Sequence, residues 1–97
     1  MLDQLTKETF EARRGETFRL SDEQAGAVEL TLADVRGNNL RGKAPREQFS
    51  LHFNGPAEPL LPQRIYRLDN AEMGALDIFL VPVARDDEGV TYEAVFT

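Results

Sequence analysis

The chain has 97 residues, a formal net charge of −6, one histidine and no cysteine. That length suits one domain able to fold without metal or disulfide, and the missing thiols exclude cysteine catalysis, cysteine-held zinc and iron–sulfur clusters. The acidic balance argues against nucleic acid as a partner, and no apolar run approaches membrane-spanning length, so a cytoplasmic protein is the expectation.

Taken in order, residues 6–14 read as a short helix. Thr6 is placed to cap it, Glu8 sits in the first turn, Arg13 and Arg14 sit in the last, and Gly15 ends it. Residues 16–20 read as a short strand with Phe18 and Leu20 on one face, followed by a polar turn over 21–26. Its unpaired edge is a place where a second copy could add. Val28, Leu30 and Leu32 then alternate with polar residues, which predicts a longer strand with one buried face. Asp34 stands where an apolar residue is due and Val35 resumes the pattern one position late, so a β-bulge is expected near Ala33 or Asp34.

Residues 37–45 are rich in turn formers and read as a hairpin loop. Residues 47–54 form the next predicted strand, with Phe49, Leu51 and Phe53 inward and Gln48, Ser50 and His52 outward. Pro56, Pro59 and Pro62 forbid immediate pairing, so residues 55–63 read as an extended crossing. Strand resumes over 64–68 with Ile65, Tyr66 and Leu68.

Residues 76–83, Leu-Asp-Ile-Phe-Leu-Val-Pro-Val, are the most apolar stretch and predict a central strand. Leu76, Ile78 and Leu80 share one face while Phe79 and Val81 share the other, so both faces are expected to be covered. Pro82 lacks an N–H, which requires a bulge, a strand end or a neighbour that has already stopped. Asp86 to Gly89 make a hairpin turn into a final strand with Val90, Tyr92, Ala94 and Phe96 on one side. The sum is a mainly β single domain over residues 1–97: about six antiparallel strands in a barrel or sandwich, with one N-terminal helix and no evident internal repeat or linker.

Catalytic and metal chemistry find little support. One histidine excludes a multi-histidine metal site within the chain, and Ser50 near His52 lacks a nucleophile-elbow pattern. Asp86, Asp87 and Glu88 lack the alternating spacing of a calcium loop and are explained by their turn. No glycine-rich phosphate motif opens a helix, so no cofactor is expected.

Two loops remain as candidates for binding a protein partner. Arg36, Arg41, Lys43 and Arg46 form a basic run with no acid among them, suited to docking an acidic surface or simply to solvating a loop. Leu60 and Leu61 lie in the crossing, where they either cover the end of the core or form an exposed anchor.

Several motifs occur together in order: Phe49-Ser50-Leu51, Phe53 with Gly55-Pro56, Leu61-Pro62-Gln63, Tyr66-Arg67-Leu68, Gly74, Phe79-Leu80-Val81-Pro82-Val83 and Tyr92-Glu93-Ala94-Val95-Phe96. With Leu5-Thr6, Phe10, Gly15 and Phe18-Arg19 ahead of them, they resemble a small bacterial family classed as a domain of unknown function. The resemblance spans nearly the whole chain and least involves the basic loop. It assigns no catalytic or binding residues. It implies an accessory or structural protein, encoded near phage-tail-like proteins.

The functional expectation is therefore a non-enzymatic interaction module that uses the crossing or an edge strand. A small-molecule carrier with its ligand between sheet layers is the alternative, and a hydrolase built on His52 or an acid pair comes last.

Overall fold

The computed structural model describes residues 6–23, 26–37 and 49–96. A helix, α1 (Lys7–Glu11), precedes six strands: β1 (Thr17–Asp22), β2 (Gly26–Gly37), β3 (Phe49–Gly55), β4 (Arg64–Asn70), β5 (Gly74–Asp86) and β6 (Gly89–Phe96). All neighbours run antiparallel, and the strands close into a barrel in the order β1-β2-β3-β6-β5-β4. Of the two expected architectures, the barrel is the one formed. Closure also removes the free edge expected on the first strand, because Arg19 and Leu20 of β1 pair with Asp69 and Leu68 of β4.

Thr6 caps α1 as its sequence predicts, in a reciprocal box with Thr9. The helix is shorter than expected. Gly15 takes a positive φ of 87° and gives its N–H to Leu32 O at 2.8 Å, and Leu32 N returns a bond to Glu16 O at 3.1 Å. These sheet bonds draw the chain into β-structure directly after the helix. Arg13 and Arg14 thus fall beyond the helical turn they were expected to complete, and Arg13 instead pairs with Glu16 at 3.1 Å.

The alternation of apolar residues sets the inner face. Phe18, Leu20, Leu30, Leu32, Leu51, Phe53, Leu68 and Leu80 are all fully buried. Phe10 of α1 closes one end, packing on Phe49 and Phe96 at ring separations of 5.8 and 5.4 Å. The crossing between β3 and β4 closes the other. There Leu61 is 1% exposed, its N–H donates to Tyr92 Oη at 2.9 Å, and Tyr66 Oη donates to Pro62 O at 2.6 Å. At this end β3 and β6 approach so closely that a Cβ on Gly89 would strike the Gly55 carbonyl oxygen, and one on Gly55 would lie 2.6 Å from Leu30 Cδ2 of β2.

Both expected irregularities are present. The β2–β3 register shifts between Leu32 and Asp34, and the β5–β6 register shifts between Pro82 and Ala84. The β4 ladder ends at Leu80, so Pro82 has no β4 neighbour awaiting its missing N–H. Two orientations need correction. Ser50 and His52 point outward as predicted, yet Ser50 is buried and His52 only partly exposed. The outer face of β5 is only partly covered: Val81 is half-buried, whereas Phe79 and Val83 are exposed.

The barrel also carries an internal repeat that was not expected from the sequence. Strands β1-β2-β3 form one meander and β4-β5-β6 another, joined through the β3–β6 and β1–β4 seams. Gly26 opens β2 and Gly74 opens β5, at φ 78° and 79°, and their separation is 74 − 26 = 48 positions. Shifting by 48 converts the β1–β2 ladder (Thr17↔Thr31 to Asp22↔Gly26) into the β4–β5 ladder (Ile65↔Phe79 to Asn70↔Gly74). Arg19, Leu20, Gly26, Ala27, Leu32 and Val35 then fall on identical residues Arg67, Leu68, Gly74, Ala75, Leu80 and Val83.

Between β3 and β6 the shift is 91 − 50 = 41, because Arg36↔Ser50 in the first half corresponds to Ala84↔Thr91 in the second, and it makes His52 and Glu93 equivalent. Leu20 and Leu68 are equivalent and pair with each other, as do His52 and Glu93. A pseudo-two-fold axis perpendicular to the barrel therefore passes through both pairs. Contacts obey it as well: Asn70 Nδ2 reaches Glu16 Oε1 at 3.1 Å, and the equivalent residues, Asp22 and Arg64, form an ion pair.

Candidate docking face

Equivalent positions in the two halves meet the same backbone demands, so a difference between them at the surface is not dictated by the strands. On the outer face of the first half, the pair Thr17↔Thr31 is followed by Arg19↔Glu29, whose side chains meet at 3.2 Å. In the second half the corresponding ion pair is kept, Arg67 to Asp77 at 3.4 Å. The threonine pair is not. Its place is taken by Ile65, 65% exposed, and Phe79, 46% exposed, directly opposite one another.

The apolar surface continues along β5, where Val83 is 49% exposed, and Val95 on β6 is 54% exposed. Outer faces of antiparallel sheets are ordinarily polar, which makes a contiguous apolar outer surface the informative exception.

Beyond this surface the outer face becomes polar and internally paired. Ladder registers align Asp34, His52, Glu93 and Val81 in one row across β2, β3, β6 and β5. His52 Nε2 lies 3.3 Å from Glu93 Oε2, while its Nδ1 has no hydrogen-bond partner among the described residues. The Arg36 side chain holds Asp34 below the ordinary carboxylate range, Nε to Oδ2 being 2.8 Å, and the Val35 N–H assists at 2.9 Å. The His52 ring thus faces Glu93 through Nε2 and has no partner at Nδ1 among the described residues, which is not the hydroxyl-to-imidazole contact of a nucleophile and its base. No group of three His, Asp or Glu side chains able to hold a metal occurs among the described residues either.

The sequence candidates separate. Leu60 is 46% exposed at the crossing, whereas Leu61 is buried beneath Tyr92 and belongs to the core, so it is not an exposed anchor. Arg36 is exposed and engaged with Asp34. Arg41, Lys43 and Arg46 lie outside the described residues.

Ile65 and Phe79 were missed because, read alone, they are ordinary strand residues. The signal that could have found them is the comparison of residues 17–35 with 65–83, which aligns Ile with Thr and Phe with Thr. Two open clefts at the crossing end, about 240 and 540 Å³, are lined in part by Arg85, Asp86 and the β5–β6 turn. Arg85 Nη2 is already 3.4 Å from Ala57 O. No helix among the described residues is long and apolar enough to cross a membrane.

These features define a small closed antiparallel barrel, built from two related β-β-β halves and marked on one half by an apolar outer face. The family described as domain of unknown function DUF6916 matches residues 5–96, and the chain belongs to it. No curated protein and no solved structure matches the chain.

Proposed function

We propose that the chain is a non-enzymatic protein-interaction module whose contact surface is the outer face of β4 and β5, centred on Ile65 and Phe79. One observation carries this reading: those two residues replace a threonine pair at symmetry-equivalent positions where the fold itself accepts threonine. Burying an exposed Ile or Phe side chain contributes about 1.5–3 kcal/mol, so the pair supplies anchors of the kind that dominate protein contacts. Leu60 lies on the crossing and serves at most as a second contact.

The barrel interior does not favour a carrier. Eight strands give an interior just wide enough for side chains, and this one has six, filled by Phe18, Phe53, Tyr92 and the surrounding leucines. Docking within a tail-like assembly, which the family resemblance implies, is one setting for such a module.

The test is affinity purification of the full chain from the cells that encode it, with Ile65→Thr/Phe79→Thr and Leu60→Asp run in parallel. Association, whether with another protein or with further copies of the chain, should be lost in the threonine variant and retained or weakened in Leu60→Asp. Identical association in the wild type and the threonine variant would sink the proposed face.

A further inference from the structure

We infer that the docking face pairs with its own copy across a two-fold axis, forming a homodimer. The inference rests on the reading of β4 and β5 as a protein-docking surface and names the partner. An isologous contact requires a patch that is its own complement, with residue i meeting j and j meeting i. The β4–β5 ladder has that property.

Consider an axis lying in the contact plane, between β4 and β5 and along the strands. Each residue then faces the cross-strand neighbour of its equivalent in the second copy. Ile65 meets Phe79 of the second copy, and Phe79 meets Ile65. In the next outward row, Arg67 meets Asp77 and Asp77 meets Arg67. Within these two rows apolar side chains fall on apolar ones and each cation falls on an anion, and the third outward row sets Asp69 against Ala75. Aligned sheets pack at about 30°, which an axis inclined by about half that angle to the strands supplies.

Charge does not oppose pairing at this face. The chain carries a net −6, yet Arg67 and Asp77 cancel one another and stay exposed at the edge of the apolar surface. Two acidic bodies therefore approach here with less repulsion than through a surface of excess carboxylates. The first half supplies the control within the molecule. It has the same kind of ion pair, Arg19 with Glu29, but Thr17 and Thr31 where the anchors would be. One docking face per chain closes a dimer, whereas two would extend a chain of copies.

Sedimentation equilibrium of the intact chain over a wide concentration range tests this. The wild type should pass from its 10.9 kDa monomer toward double that mass. Ile65→Thr/Phe79→Thr should remain monomeric and melt close to the dilute, dissociated wild type, since it installs residues the other half already carries. It should lack the rise in melting temperature with concentration that dimerisation gives the wild type. Arg67→Asp and Asp77→Arg should each weaken self-association by about tenfold or more, because like charges meet across the axis.

An equimolar mixture of those two variants should regain the doubled mass, because opposite charges then meet at both contacts of the charged row. A wild type that stays monomeric overturns the inference, as does a dimer unaffected by the threonine variant or a mixture no heavier than its components. A monomeric wild type that still loses a different protein on Ile65→Thr/Phe79→Thr overturns self-pairing alone and leaves the interaction reading standing. If neither copies nor other proteins depend on Ile65 and Phe79, both fail.

Discussion

The two halves of this barrel share their turn glycines and first ladder register and match in strand length to within one residue, yet differ in how each approaches its first strand and in what its outer face presents. Before β1 the chain forms α1, which plugs one end of the barrel with Phe10 against Phe49 and Phe96. Before β4 it forms the crossing, which plugs the opposite end with Leu61 and ties it down through Tyr92 and Tyr66. The difference teaches that the pseudo-symmetric strands constitute the fold, and that the plugs and surfaces were free to diverge. One end is closed by aromatic packing alone and the other by a leucine held with hydrogen bonds.

The largest expected effect comes from the aromatic plug. Phe10→Ala should cost about 3–5 kcal/mol in urea denaturation, because a buried ring is removed from beneath two others. Next are Leu20→Ala and Leu68→Ala, fully buried equivalents that pair on the pseudo-axis. Each should cost about 3 kcal/mol, and the double variant should depart from the sum because the two sites are in contact. Clearly unequal single losses would break the claim that these positions are equivalent.

A smaller loss belongs to the second plug. Tyr92→Phe strands the buried Leu61 N–H and should cost about 1–3 kcal/mol, against almost nothing for an exposed tyrosine.

Smaller again is a pH effect on the same plug. Burial raises the Tyr66 phenol above its ordinary value, although nearby Arg64 opposes the shift. The fold therefore favours the neutral phenol. That contribution is intact below the unfolded tyrosine value, about 10, and is lost as pH rises through the higher folded value. Alkaline melts of Tyr66→Phe should fall less steeply than those of the wild type.

The smallest effect sharpens the surface comparison: Ile65→Thr/Phe79→Thr should change stability by less than about 0.5 kcal/mol per site, since exposed substitutions away from special features seldom do more.

Much of the fold was legible in the residues because alternation alone separates inner from outer faces. Asp34 announced its bulge by interrupting that alternation, and Pro82 announced the end of pairing by lacking a donor. The repeat was hidden for a physical reason. Equivalent strands lie 48 positions apart through β2 and β5, but the β2–β3 connection spans residues 38–48 while β5–β6 turns through 87–88, so no single period reaches the third strand.

Which of Leu60 and Leu61 plugs the barrel was likewise invisible, because adjacent loop residues carry no face pattern to distinguish them. The apolarity of Phe79 and Val81 is evident in the sequence and their degree of cover is not: Phe79 is exposed and Val81 half-buried. Composition reports that a side chain avoids water without reporting what shields it.

The two seams of the barrel have a kinetic consequence. Hairpins β1–β2, β4–β5 and β5–β6 join residues close in sequence and can form locally, whereas Leu20 must find Leu68 and His52 must find Glu93. Loop closure over such separations slows folding and rewards little until both seams are made, because a single seam leaves an open six-stranded sheet with two raw edges. Barrel closure should therefore be the late, committing event of folding, with the local hairpins assembled first.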